Sequence, residues 1–261
     1  MQLSAVISKI EKRIPKSWAE PWDNPGLAVG DLGAEITKIA LALDATPAAV
    51  AAAVSAGCGL LVTHHPLIFH PLKSVTNDGC VGRTLFAAVR GGVAVYAAHT
   101  NWDSSPEGVN FVLASLLGLE GIAPLVPAKT DAWGMGAVGA LVAPVKPAAL
   151  SEMLGGRWRL TNFTLYGDQE KDLKKIALGG GACQEFWREA LALGADCFIT
   201  ADVAYHHRQE ALAAGLSLVA ADHGEMERAS LPALRAAVEA ETGLPVLLIE
   251  EKSAPFMHGR L

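Results

Sequence analysis

The sequence is poor in charged residues, which make up 18% of its 261 residues, whereas hydrophobic residues make up 51%. Disordered chains have the opposite composition, so these fractions predict a packed globular protein. Lysine and arginine form no long runs, and the formal net charge is −6. Because nucleic-acid binding depends on clustered cations, we expect no nucleic acid as the main partner.

Cysteines and long apolar runs are also scarce. The four cysteines have no CxxC spacing, and no apolar run reaches the roughly 20 residues that a membrane-spanning helix needs. Residues 1–14 predict a helix of mixed polar and apolar residues rather than a secretory signal. We therefore expect a cytoplasmic protein with reduced cysteines and no membrane partner.

Short apolar runs alternate with helical patterns along most of the chain. Between strands predicted at 36–43 and 59–63, Thr46 and Pro47 suit the N-cap and first residue of a helix over 47–56. Further strands are predicted at 93–97, 175–178, 197–200, 217–220 and 245–249, with helices at 81–90, 109–117, 184–193, 204–214 and 229–241. Apolar strands separated by helices are typical of an α/β protein whose sheets are buried on both faces.

The middle of the chain interrupts this alternation. Residues 123–128 contain two prolines and predict a linker, whereas residues 159–165 have the two-residue period of a strand. These changes predict a second α/β layer that is inserted into a discontinuous first domain. The predicted boundaries give a first domain of residues 1–123 and 206–261 and an inserted domain of residues 124–205.

Histidines and carboxylates stand directly after three of the predicted strands. They are His64 and His65 after 59–63, His99 and Asp103 after 93–97, and His223 and Glu227 after 217–220. Open α/β sheets bind ligands outside the carboxyl ends of their strands, so these side chains should meet at one rim. Neutral imidazole and carboxylate are usual ligands of Zn, Fe, Mn and Co ions. The pattern therefore predicts a metal site.

The spacing of these residues favours two ions over one. Side chains of adjacent residues in an extended segment diverge, so we expect His64 and His65 to bind one ion each of a pair. His223 and Glu227 are four residues apart and would share one face of a helix, which would let the carboxylate of Glu227 bridge both ions. Asp103 has an alternative role as a cap of the turn that follows it.

The remaining histidines have simpler interpretations, because a single histidine after a strand is more often structural than ligating. His70 and His258 are expected on the surface or in loops. His206 and His207 lie inside a predicted helix, so one of them could face the cleft while the other is solvated.

A run of three glycines at 179–181 stands between a strand and a helix, as a phosphate-binding loop would. The run lacks GK[ST] and does not match GxGxxG, so we predict a tight turn, although a helix N-terminus there could bind an anion. We predict packing roles for Trp18 and Trp22, and core positions for the cysteines.

Several segments match one known family in the same order along nearly the whole chain. They are WDNPGLAVGD (22–31), ALDAT (42–46), LLVTHHPLIF (60–69), AHTNWD (98–103), GADCFITADVAYH (194–206) and DHGEME (222–227). On these segments the chain resembles the GTP cyclohydrolase I type 2 family, also called the Nif-three-like dinuclear metal-centre proteins. Members of that family have two α/β layers, the second inserted into the first, and assemble as ring-shaped hexamers.

The resemblance also implies a set of metal ligands for two divalent ions, with Glu227 as the bridge. The matching positions are His64, His65, Asp103, His223 and Glu227. His99 and Asp202 would lie beside the ligands or face the substrate. The family usually has glycine before the late histidine, whereas here the order is Asp222-His223-Gly224.

The function that the resemblance implies is hydrolytic: the guanine ring of GTP would be opened by metal-activated water, with His99 as a candidate proton carrier. The partner would then be a small molecule, possibly a nucleotide. The residues themselves contain no recognisable guanine-specificity motif, and the net charge of −6 gives no general attraction for a triphosphate. A non-catalytic metal-handling or regulatory protein would use the same five ligands. An α/β scaffold with structural histidines is the third alternative.

Overall fold

The computed structural model describes residues 1–128 and 132–250, in which helices alternate with strands. The strands are β1 (Gly26–Val29), β2 (Ile39–Ala42), β3 (Leu60–Thr63), β4 (Ala94–Ala97), β5 (Glu120–Ala123), β6 (Val126–Pro127), β7 (Gly134–Met135), β8 (Ala137–Val145), β9 (Phe163–Tyr166), β10 (Leu173–Leu178), β11 (Cys197–Ala201), β12 (Ser217–Ala221) and β13 (Val246–Leu248). The helices are α1 (Leu3–Arg13), α2 (Pro47–Ser55), α3 (Cys80–Gly91), α4 (Thr100–Asp103), α5 (Val109–Leu117), α6 (Pro147–Met153), α7 (Trp187–Ala192), α8 (Tyr205–Ala213), α9 (His223–Arg228) and α10 (Leu231–Thr242).

The first sheet has the strand order β1-β4-β3-β2-β13. Its four strands from β4 to β13 are parallel, and β1 runs antiparallel to β4 at the edge. Every residue of β2, β3 and β4 is buried, as expected for parallel strands that are covered on both faces. The carboxyl ends of β3 and β4 therefore lie side by side at one edge of this sheet.

The second sheet has the order β5-β8-β10-β11-β12-β9, with β10, β11 and β12 parallel. The chain leaves the first sheet after β4, builds the second sheet, and returns to the first with β13. This path confirms the predicted α/β fold, with a second layer inserted into the first. Among the described residues there are three hydrophobic clusters, and one of them is shared by both sheets, since it contains Ile39 of β2 and Ile176 of β10.

Most predicted elements lie within a few residues of the observed ones. Helix α2 begins as predicted, and the backbone N–H of Ala49 donates a 3.0 Å hydrogen bond to the side chain of Thr46. The helix predicted at 184–193 is divided into a 3-10 turn (Gln184–Phe186) and α7. The strand predicted from 159 starts only at Phe163, after Arg159 adopts the left-handed φ of 59°.

The linker predicted at 123–128 is wrong, because this segment contains the end of β5 and all of β6. Strand β6 pairs with β7, with Pro127 opposite Gly134. Proline is tolerated there because a short edge strand leaves some of its N–H groups out of the ladder. The nine-residue strand β8, which lies between β5 and β10, was not predicted within its glycine-containing segment.

The division into domains at positions 124 and 205 stays a prediction. Strands β5 and β12 lie outside residues 124–205, and both belong to the second sheet. Among the described helices, none has the length and apolar character needed to cross a membrane.

Candidate metal centre

Three strand ends bring the predicted site residues together, two from the first sheet and one from the second. Strand β3 leads directly to a histidine pair, β4 leads to α4, and β12 leads to α9. The side chains delivered by these connections are His64 and His65, His99 and Asp103, and His223 and Glu227. The centre therefore lies where the two sheets meet.

A first group of donor atoms is buried. His64 Nε2 lies 3.5 Å from Asp103 Oδ1 and 3.4 Å from Glu227 Oε1. All three side chains are at most 7% exposed. Within the described parts of the chain, His64 Nε2 and Asp103 Oδ1 have no hydrogen-bond partner. Buried polar atoms without partners are costly, and nitrogen and oxygen donors suit a divalent ion, so this group fits a metal.

A second group shares the same glutamate but is open to solvent. His65 Nε2 lies 2.9 Å from Glu227 Oε2, and His223 Nε2 lies 3.1 Å from Glu227 Oε1. The His65 and His223 side chains are 26% and 32% exposed. In each group the donor atoms lie within 4.8 Å of one another. Glu227 therefore belongs to both the buried group and the open group.

The four histidines are held by hydrogen bonds on the ring nitrogen that faces away from the centre. The Nδ1 partners are Ala98 O for His64 (2.9 Å), Asp44 for His65, Asp23 for His99 and Asp202 for His223 (each 2.7 Å). Because these oxygen atoms accept, each Nδ1–H donates, and in the neutral ring the lone pair lies on Nε2. The structure thus fixes the orientation of each ring and leaves its Nε2 facing the centre.

His64 and His65 diverge less than predicted, since their ring centroids are 5.0 Å apart. Together with His99 they form a third group whose donor atoms lie within 4.8 Å of one another. His99 differs from the others because its partner Asp23 also accepts from the backbone N–H and the hydroxyl of Thr100. Burial alone would raise the pKa of Asp23, but the hydrogen bonds from His99 and Thr100 lower it to about 2.

The charges of the centre depend on one another. Burial alone would raise the pKa of Glu227, but the charge of His64 and the hydrogen bond from His223 hold it well below its usual range. Burial alone would lower the pKa of His65, but hydrogen bonds to Asp44 and Glu227 raise it to about 10. The hydrogen bond to Glu227 raises the pKa of His223 to about 9. Without metal, protons on these two histidines balance the Glu227 carboxylate.

The glycine run after β10 forms one wall of the centre, as a tight turn. Gly181 has a φ of +72°, and a Cβ added there would lie 2.4 Å from Glu227 Oε1. The N–H of Gly180 donates to Asn110 Oδ1 (2.7 Å), and Asn110 Nδ2 donates to the carbonyl of Asp103 (2.9 Å). Asn110 therefore connects this turn of the second sheet to the Asp103 segment. Because the N–H of Gly180 donates to Asn110, it is not available to bind an anion.

A cleft of about 490 Å³ opens onto the centre. Residues outside the donor groups that line it include Glu20, Trp22, Phe69, Met135, Glu185 and Phe186. The packing role predicted for Trp22 is wrong, because this residue is 60% exposed at the cleft. Trp18 does pack, stacking on Trp133 with a centroid distance of 5.7 Å.

The other predicted residues lie outside the three donor groups. Asp202 accepts a hydrogen bond from the outer nitrogen of His223 and belongs to none of the three donor groups. His70 is exposed as predicted, and His206 and His207 lie on α8 away from these groups. His258 lies outside the described residues. Asp23 and Asp44, which the matching segments contained, were not singled out by the sequence prediction.

Comparison with known proteins identifies the family. The DUF34/NIF3 family (NGG1p interacting factor 3) matches residues 1–255. The chain belongs to the DUF34/NIF3 family. A Clostridium perfringens protein named GTP cyclohydrolase 1 type 2 homolog is 35% identical over 229 residues, or 87% of each chain. A Lactococcus lactis protein of the same name is 32% identical over 260 residues, covering 98% of this chain and 99% of its own.

The fold of this DUF34/NIF3 chain also matches a solved structure. The crystal structure of a Bacillus cereus protein related to NIF3 superposes with a TM-score of 0.90 at 21% identity, over 99% of both chains. The similarity confirms the fold, and the family match confirms the resemblance on which the ligand assignment was based.

We expect the Gly181→Ala variant of this DUF34/NIF3 protein to bind much less metal than the wild type, because the new Cβ would collide with Glu227 Oε1. Gly194→Ala is a matched control: its φ is +73°, and in the described structure a Cβ there meets nothing within 4 Å. Both variants bear a similar backbone cost of about 1–2 kcal/mol. Metal content by mass spectrometry separates them, and equal metal in both would show that the turn does not shape the centre.

Metal affinity should rise with pH well beyond the range in which a free imidazole titrates. Because the pKa values of His65 and His223 are raised to about 10 and about 9, both are protonated in the metal-free protein at neutral pH and must release protons to bind. Each released proton gives on the order of tenfold higher affinity per pH unit below those pKa values. Calorimetric titration with Zn²⁺ between pH 6 and 8 tests this, and a flat profile would contradict it.

Proposed function

We propose that this chain is a metal-dependent hydrolase with a dinuclear centre that acts on a small molecule. The observation that carries the proposal is the position of Glu227, which belongs to two donor groups at once. One ion would be held by His64, Asp103 and Glu227, and the other by His65, His223 and Glu227. The names of the relatives, GTP cyclohydrolase 1 type 2 homolog, support a hydrolytic role and a nucleotide as substrate.

Each donor group offers three side chains, which leaves room for water or substrate at either ion. The chemistry that divalent ions supply in such centres is a lowered pKa for water and polarisation of the bond to be broken. We propose Zn, Fe, Mn or Co as the metal, since all of them accept mixed imidazole and carboxylate ligands. A cytoplasmic location, which the cysteine content favours, and a ring-shaped homohexamer, which the family resemblance implies, are also part of this proposal.

His99 is the residue that we assign to proton transfer. Its ring lies 5.3 Å from that of His64 between centroids, and it lines the cleft beside both donor groups. Asp23 accepts the hydrogen bond from His99 Nδ1, so Nε2 can accept a proton while the carboxylate stabilises the resulting imidazolium. Thr100 holds Asp23 in turn, which fixes the orientation of the ring.

A second function, non-catalytic metal handling, is favoured by the unequal burial of the two groups. The group with His65 and His223 is partly exposed, whereas His64 and Asp103 are almost fully buried. An ion in the open group could exchange with solution while the buried ion stays. Rapid exchange with a chelator, without turnover of any substrate, would favour this function over hydrolysis.

Glu227→Gln should weaken the binding of both ions, because it removes the charge shared by the two donor groups while keeping the shape of the side chain. His65→Ala should mainly weaken the binding of the ion in the open group. Glu225→Gln is the control, since Glu225 lies on the same helix but bonds to Thr161 and Asn162. Metal content after dialysis is the measurement, and two ions retained in Glu227→Gln would exclude the bridging role.

His99→Ala should keep both ions but lose turnover by roughly 10²–10⁴-fold, the range for a lost acid–base group. Asp23→Asn should also lose turnover, because an amide does not stabilise an imidazolium and can donate to Nδ1, which would place the proton on Nε2. The assay first requires wild-type turnover within a panel of nucleotides and phosphoesters. Wild-type turnover in His99→Ala would assign His99 a structural role, and a wild type without any turnover would favour metal handling.

A further inference from the structure

We propose that the cleft binds a planar heteroaromatic ring against Trp22 and Phe69, and that it has no subsite for a polyphosphate chain. The inference deepens the proposed function and rests on it in one respect, that the ligand lies beside the metal centre. The observations that carry it are two exposed aromatic side chains and the charges of the cleft wall.

The aromatic side chains stand at the cleft although burial would be more favourable for them. Trp22 is 60% exposed and Phe69 is 42% exposed, and their rings lie edge to face at a centroid distance of 5.9 Å. Both rings are also close to His99, at 6.4 and 6.1 Å between centroids. Aromatic faces bind flat rings by stacking, so a ring held there would lie next to the proposed proton carrier.

The backbone that carries these aromatic residues is anchored. Asn24 Nδ2 donates to the carbonyl of Ile68, which joins the segment of Trp22 to that of Phe69. Asp23, next to Trp22, is bound by His99 and Thr100. A preformed pair of aromatic side chains loses little conformational entropy when a ligand binds, which is a property of binding sites rather than of accidental exposure.

Apart from any bound ions, the side chains of the cleft wall are unsuited to a triphosphate. Among the described residues that line it, none is lysine or arginine, whereas Glu20 and Glu185 contribute carboxylates beyond the donor groups. Phosphate chains are usually recognised by arginine, lysine or free backbone N–H groups. The N–H of Gly180, in the turn that could have supplied one, already donates to Asn110. We therefore expect the substituents on the ring to include no polyphosphate chain.

Fluorescence titration of the full-length, Zn²⁺-loaded protein tests the proposal with matched probes. Guanosine, adenosine and cytidine are each compared with their own triphosphate, so that only the phosphate chain differs. We expect nucleosides to quench Trp22 and to bind about tenfold more tightly than the triphosphates, because the carboxylates of Glu20 and Glu185 on the cleft wall repel the phosphate chain. Metal content is measured after each titration, so that removal of Zn²⁺ by a triphosphate is not counted as binding.

Two sets of variants assign the effect to the named residues. Because Trp22→Ala removes the fluorescent reporter, nucleoside binding to the wild type and the variants is also measured by calorimetry. Trp22→Ala should weaken nucleoside binding by on the order of tenfold, whereas Trp133→Phe, outside the cleft, should leave it unchanged. The paired substitution Glu20→Gln and Glu185→Gln should strengthen triphosphate binding severalfold and leave nucleoside binding the same. Retained nucleoside affinity in Trp22→Ala would contradict stacking, and an unchanged triphosphate affinity in the paired variant would contradict the charge argument.

Tighter binding of the triphosphates to the wild type, or no quenching by any nucleoside, would overturn the proposal. The readout requires no turnover, so the two proposals fail separately. A protein that binds nucleosides as expected but hydrolyses nothing would contradict the hydrolase function alone. A protein that hydrolyses triphosphates while binding them more tightly than nucleosides would contradict the ring-binding proposal alone.

Discussion

The buried carboxylate of Glu227 is the feature around which the rest of the centre is arranged. It is 3% exposed, and an isolated charge in such a place would be strongly unfavourable. Three histidines approach it within 3.4 Å, and protons on two of them, His65 and His223, supply the compensating positive charge. Those rings in turn need fixed partners on their outer nitrogens. The requirement to balance one carboxylate thus determines the positions of side chains from both sheets.

The fold and the six candidate residues could be predicted because each has a local signal. Apolar runs of strand length separated by helical patterns indicate parallel strands, and polar residues directly after such runs indicate the ligand-binding edge. The i, i+4 spacing of His223 and Glu227 needed only the helix α9, which the structure contains. Each of these signals lies in neighbouring positions of the chain and does not depend on a tertiary contact.

The residues that were not predicted contact the site residues from distant positions in the sequence. Asp23 meets His99 across 76 positions, and Asp44 meets His65 across 21. An aspartate in a loop has many possible roles, so its partner is defined only by the packed sheets. The exposure of Trp22 is of the same kind, because tryptophan is usually buried and only the shape of the cleft leaves this one uncovered. Strand β8 was missed since its segment lacked a clear strand pattern.

Asn110 illustrates how a residue that is not itself a proposed ligand can limit which substitutions the candidate centre tolerates. Its amide has a donor end and an acceptor end, and each serves a backbone group from a different sheet. Aspartate has the same shape but two acceptor ends when ionised, leucine has neither, and glutamine is one methylene too long. At this junction one backbone group needs a hydrogen-bond acceptor and the other needs a donor. Among side chains of its size, asparagine supplies both. Substitution at this position would change the geometry of the candidate centre although every proposed ligand side chain would be kept.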